Sequence, residues 1–112
     1  MSFRLIITEP AEHDRDGCFA YIWKRSPQGA SRWIEAFDAA VQALLTEPHY
    51  GESPESGDHD EKIRQKMFKT RRGRTHRLIY VLRGDTIFIL HVRGAGQDVM
   101  ADEEMQLPDE VD

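Results

Sequence analysis

Lys62, Arg64, Lys66, Lys69, Arg71, Arg72, Arg74, Arg77, Arg83 and Arg93 put ten cations into residues 61–93, where only Glu61 and Asp85 oppose them. Cations at that density serve an anionic partner, either a polyanion or an acidic protein segment. Their defensive use is to keep an edge strand from pairing with other chains, but ten against two inside an acidic protein exceeds what solubility requires. The whole chain has 15 basic and 20 acidic residues, a net charge of −5. As an average, that argues against a nucleic-acid binder, because a phosphate backbone needs cationic partners. The average conceals a division. Residues 1–60 hold 5 basic and 11 acidic side chains, and residues 94–112 hold no basic and 7 acidic ones, so an acidic frame encloses a basic segment.

Other chemistry-bearing residues are less organised. The histidines at 13, 49, 59, 76 and 91 share no metal-ligand spacing with one another or with Cys18. His59, between Asp58 and Asp60, could hold a cation, but in an acidic loop it reads as solvated, and no metal is expected. Cys18 has no evident base nearby and reads as a packed helical residue rather than a nucleophile. Trp23 and Trp33 read as core or hairpin packing, with a stacking platform for bases as the sharper alternative. No Gly-x-Gly-x-x-Gly, Gly-x-x-x-x-Gly-Lys-Ser/Thr, Gly-x-Ser-x-Gly or His-Glu-x-x-His occurs, so nucleotide-binding, serine-hydrolase and zincin chemistry lack support.

The elements that position these residues follow from spacing. A length of 112 residues and 39% hydrophobic content fit one core, with little room for a separate cofactor domain, and no cofactor is expected. Phe3 to Thr8 is rich in β-formers and ends at Pro10, which predicts a short strand. Ala11, Cys18, Phe19, Ile22 and Trp23 recur at helical intervals, with Gly17 as a weak point. Ser26-Pro27 supplies an N-cap and a first-turn proline. Behind it, Ala30, Trp33, Ile34, Phe37, Ala40, Val41, Leu44 and Leu45 predict a second helix that stops at Pro48. Two to four residues between the helices predict an antiparallel hairpin.

His49 to Asp60 has almost no apolar content and reads as an exposed loop. Glu61–Thr70, Thr75–Arg83 and Thr86–Arg93 then read as three strands of an antiparallel meander, turned at Arg72-Gly73 and Gly84-Asp85. Strict alternation in the last strand puts Ile87, Ile89, His91 and Arg93 on one face and Phe88, Leu90 and Val92 on the other. Both faces are largely apolar, so this strand should be central. Residues 1–97 are expected to form one domain, and 98–112 an acidic tail that is weakly ordered without a partner. The order β-α-α-β-β-β predicts an α+β fold, a helical hairpin packed on a small antiparallel sheet. The apolar run at the N-terminus is too short for a signal peptide's core or a bilayer span, and a lone cysteine forms no intrachain disulfide. A cytoplasmic protein with no membrane partner is the expectation.

Several segments resemble the RelE/ParE superfamily of toxins from type II toxin–antitoxin systems, also called plasmid-stabilisation proteins. They are Thr8-Glu9-Pro10-Ala11-Glu12-His13-Asp14, Tyr21-Ile22, the Pro27, Ala30, Arg32-Trp33 and Phe37 pattern, and Leu44-Leu45-Thr46-Glu47-Pro48-His49-Tyr50-Gly51. The late strands add Ile63-Arg64, His76-Arg77-Leu78-Ile79-Tyr80 and Ile89-Leu90-His91-Val92-Arg93. Their order and spacing run together to about Gln97, and the family fold is also β-α-α-β-β-β.

The resemblance implies one of two activities. RelE-like members cleave messenger RNA on the ribosome, using arginine and lysine side chains, with a tyrosine in some, to activate the ribose 2′-hydroxyl and stabilise a phosphorane-like transition state. ParE-like members poison DNA gyrase and are not nucleases. Carried over by position, the nuclease residues would be Lys69, Arg77 and Arg93. Met67 stands where a second lysine is expected, Gly94-Ala95-Gly96-Gln97 replaces further basic residues, and no tyrosine follows Tyr80. Ala11, Asp14, Tyr21-Ile22 and Pro27 fit the ParE side, so a ParE-like toxin is the leading expectation. An mRNA endonuclease is the alternative, and a binding module that has lost toxicity a third. The resemblance also implies a cognate antitoxin. Arg64, Lys66, Lys69, Arg71, Arg72, Arg74, Arg77, His91 and Arg93 are the expected surface for that antitoxin, gyrase, or the ribosome and its mRNA.

Overall fold

The computed structural model describes residues 2–56, 61–94, 100 and 107. The chain forms β1 (Arg4–Ile7), α1 (Glu9–Arg25), α2 (Pro27–Thr46), a 3-10 turn (Pro54–Ser56), β2 (Arg64–Phe68), β3 (His76–Arg83) and β4 (Thr86–Gly94). This is the expected β-α-α-β-β-β order, an α+β fold. The acidic tail lies outside the described residues except for Met100 and Leu107, as does the Gly57–Asp60 part of the expected loop.

Thr8 ends β1 and turns the chain. Its hydroxyl donates to the Ile89 carbonyl at 2.7 Å instead of capping α1. Helix α1 passes through Gly17 unbroken. Ser26 alone separates the helices, a shorter link than expected: its N–H closes α1 on Ile22, and its hydroxyl accepts the Gly29 N–H of α2 at 2.9 Å. One residue can do both because a helix's last N–H and the next helix's first orphan donors need different atoms.

The sheet order is β1-β4-β3-β2. The meander of β2, β3 and β4 is antiparallel, but β1 pairs parallel to β4, so the sheet is mixed where an antiparallel one was expected. A parallel pair needs a long crossover, and the helical hairpin plus β2 and β3 provide it. Strand β4 is central and buried on both faces. Gly84, at φ +60°, makes the two-residue β3–β4 loop, where glycine carries no steric penalty.

Two apolar layers result. Under the helices, Trp33, Phe37, Ala40 and Leu44 pack on Leu78, Tyr80, Ile87, Ile89 and Val92. On the opposite face, Ile63, Ile79, Val81, Phe88 and Leu90 are covered by Met100, with Leu107 beside them. A register shift between Ile79 and Tyr80 leaves Leu90 as an extra residue. Strict alternation along β4 therefore fails. Ile87 and Ile89 share a face as expected, the one under the helices, but beyond the bulge Val92 takes that side, and His91 and Arg93 register with Ile79 and Arg77 on the other. The tryptophans also part. Trp33 is core, whereas Trp23 is about half exposed and stacks on Phe19.

Replacing Phe37, which stacks on Trp33 at 5.8 Å and meets Phe68 edge-on at 6.0 Å, tests the first layer. Urea unfolding should show Phe37→Ala less stable by about 3–5 kcal/mol. The exposed Met67→Ala should stay within about 0.5 kcal/mol of the parent.

Candidate functional site

Arg77 is the residue on which nuclease chemistry would turn, and its register opposite Met67 and Arg93 sets it on the face away from the helices. That face is apolar around Ile79 and Val81, so an unpaired guanidinium there would be costly. The loop after α2 answers the need. Ser53 N–H pairs with Ile63 at 2.8 Å, Glu52 bridges to Arg64, and the 3-10 turn places Glu55 beneath Arg77. Arg77 Nη1 and Nη2 donate to Glu55 Oε1 and Oε2 at 2.6 and 2.7 Å, and Nη1 also reaches Gln65 Oε1 at 3.2 Å. Glu55 further accepts the Ser53 hydroxyl and, at 3.0 Å, the Met100 N–H. Burial would raise the Glu55 carboxyl, but the hydrogen bonds from Arg77, Ser53 and Met100 hold it at about 2. The loop expected to be exposed is thus buried at Ser53, Glu55 and Ser56, because Ser53 and Glu55 are partners of the buried Arg77 and the Ser56 hydroxyl accepts the Ile63 N–H at 3.1 Å.

Other expected site residues are dispersed. Arg64 Nη1 donates to the Tyr50 carbonyl at 2.5 Å, and Lys66 Nζ sits 4.5 Å from the Tyr50 ring centroid. Both register with the helix-side residues Tyr80 and Leu78. Tyr80 is itself buried, with its hydroxyl donating to the Pro48 carbonyl at 2.5 Å. Lys69 is exposed past the end of β2, and Arg93 is half-buried opposite Arg77. Asp14 receives His91 Nδ1 at 2.9 Å and the Val92 N–H at 3.0 Å. Its carboxylate continues the edge of β4 where β1 has ended. Arg83, outside the expected set, pairs with Glu61 at 2.9 and 2.5 Å.

Arg71, Arg72 and Arg74 do come together, and with partners the sequence reading missed. The turn that carries them faces the α1–α2 corner across an open groove of about 1360 Å³, which also reaches Gly94 at the end of β4. Arg25 and Arg32 stand on its helical side, while Cys18, Ile22 and Trp33 form an apolar floor. No acidic residue lines it among the described residues. Arg25 lies over the Tyr21 ring at 4.1 Å, and Tyr21 is 60% exposed. In the wall, Trp33 Nε1 lies 3.4 Å from His76 Nδ1 and the Arg74 carbonyl 3.2 Å from the same nitrogen, and burial pushes His76 down. Burial and the Asp14 charge push the Cys18 thiol up, so the floor is no nucleophile. Only the position of Arg25 and Arg32 on either side of Ser26-Pro27 could have signalled their part.

Among the described residues no cluster of three His, Cys, Asp or Glu side chains could hold a metal, and no helix is long and apolar enough to cross a membrane. A helical hairpin over a four-stranded sheet with cation-rich late strands is the architecture of RelE/ParE-type toxins. The family model described as the ParE toxin of type II toxin–antitoxin system, parDE, matches residues 5–99. The chain belongs to that family and is the toxin of a toxin–antitoxin pair, which implies an antitoxin partner. No individual curated protein matches it.

The Glu55–Arg77 pair can be tested directly. Arg77→Ala leaves a buried carboxylate unpaired and should cost about 3–5 kcal/mol, whereas replacing both partners by methionine should recover much of that loss. Because the folded Glu55 carboxyl sits below its ordinary value, its contribution is complete above the ordinary carboxylate range. It should fade as the pH falls from there towards about 2. Urea midpoints across that window should fall for the parent and stay flatter for Glu55→Gln.

Proposed function

We propose that the chain is a ParE-like toxin that arrests growth by inhibiting DNA gyrase or another essential process in the cytoplasm, without cleaving RNA, and that its cognate antitoxin neutralises it. One observation carries the reading: Arg77 is 5% exposed and its guanidinium is bound at both ends by Glu55. An arginine that stabilises a phosphorane-like transition state must present its N–H groups to the scissile phosphate. Here Glu55 already occupies them. Met67 in place of a lysine and the lack of a tyrosine after Tyr80 point the same way. The pair restrains the plasmid or locus that encodes it from being lost, in keeping with the family.

Induction of the chain alone should stop growth and raise an SOS response, and co-expression of the neighbouring reading frame should restore growth. Primer extension on translated messages should find no clustered in-frame cuts. Such cuts would overturn the reading in favour of the endonuclease, and harmless induction without a co-purifying partner would overturn the toxin itself.

A further inference from the structure

The geometry points to the groove between the α1–α2 corner and the 70–74 turn as a binding site for single-stranded nucleic acid. Among the described residues, Arg15, Arg77 and Arg83 each hold a carboxylate, and Arg64 donates to the Tyr50 carbonyl. Arg25, Arg32, Arg71, Arg72 and Arg74 converge on one concavity, all exposed, and none of them is in an ion pair with a described residue. Five uncompensated guanidiniums repel one another, and an acidic chain has carboxylates to spare for them. Their convergence without a lining carboxylate among the described residues leaves an anionic ligand as the missing partner.

Three features choose the class of anion. The groove, about 1360 Å³ and open, exceeds the roughly 300–1,000 Å³ of sites that enclose a small molecule, which favours a length of polymer. All five cations are arginines, whose planar, weakly hydrated forks match phosphate oxygens in pairs. Tyr21 offers a flat ring, 60% exposed, backed by Arg25 at 4.1 Å. A carboxylate-rich peptide has no use for that ring, but an unstacked base does, as aromatic platforms beside cationic tracks in single-strand binders show. In a duplex the bases are stacked inside and cannot reach it. The site lies away from the Arg77 face and does not depend on how growth is arrested, so each reading can fail alone.

The test uses the full chain and the anisotropy of fluorescein-labelled oligothymidylate and oligouridylate of about 12 nucleotides. Equivalent duplex DNA and an oligoglutamate peptide of matched charge serve as competitors. One or both single strands should bind, with a log–log salt slope of about −3.5 for five phosphate contacts between about 50 and 200 mM salt. The triple variant Arg71→Ala, Arg72→Ala, Arg74→Ala should lower the slope by about 2. Tyr21→Ala should weaken binding about tenfold and leave the slope unchanged. All four positions are exposed, so thermal melts should match the parent, and Arg4→Ala on the far edge of the sheet should bind as the parent does. The two single strands differ only in the sugar and the thymine methyl group, so preference between them assigns the source as DNA or RNA and supports the site either way. Tighter binding of the duplex or of oligoglutamate, no binding of either single strand, or unchanged binding by the triple variant would overturn it.

Discussion

A guanidinium cannot be left dry and unpaired, and Arg77 stands in the apolar face of the sheet that lies away from the helices. Much of the molecule away from the helices follows from that one constraint. Glu55 has to be brought beneath it, so the loop after α2 folds back along β2 instead of running into solvent. Ser53 and Gln65 complete the hydrogen bonding, and Glu55 in turn fixes the Met100 N–H, which sets the Met100 side chain over Ile63, Ile79, Val81, Phe88 and Leu90. The ion pair and the second apolar layer support each other. The layer excludes water from the pair, and the pair pins the segments that form the layer. A buried pair of this kind is weak evidence for stability and stronger evidence for a defined arrangement. Here it closes a face that would otherwise present an exposed apolar sheet.

The same constraint is what supports the proposed reading without RNA cleavage. An arginine of β3 that served a scissile phosphate would need its N–H groups free, and here the loop before β2 contributes a carboxylate at hydrogen-bond distance. Fold and arginine alone therefore do not define the chemistry. The electrostatic partner of the arginine does.

How much of this was legible can be judged residue by residue. Helix α2 was, because Trp33, Phe37, Ala40 and Leu44 recur on one face and Ser26 and Pro48 bound it. The meander and its two turns were also legible, since β-rich runs alternate there with Gly-containing breaks. The face assignment in β4 was correct only up to Leu90, since a bulge depends on how two strands twist together and leaves no mark in the composition of either. The loop of residues 49–56 misled for a different reason. Polarity normally means exposure, and nothing local shows that Glu55 has a buried cation as its partner 22 residues away. The parallel pairing of β1 was hidden too, because strand direction depends on where the chain returns and not on the strand's own residues.

The basic segment gives the sharpest lesson, since proximity in sequence suggested one surface and the fold made three. Strand alternation sends Arg77 to one face and Arg64 and Lys66 to the other, while the turn carries Arg71, Arg72 and Arg74 away from both. Among the described residues, only the turn arginines find further cations, from helices about 40 residues earlier that belong to the acidic part of the chain. Charges screened over about 10 Å act on what is nearest, so the net −5 does not set the field in the groove. Glu12, Asp16, Glu35 and Asp38 on the outer helical surface are exposed and repel a polyanion that approaches from that side. An acidic exterior around a cationic groove thus directs an anionic partner to one place, which a uniformly basic protein could not do.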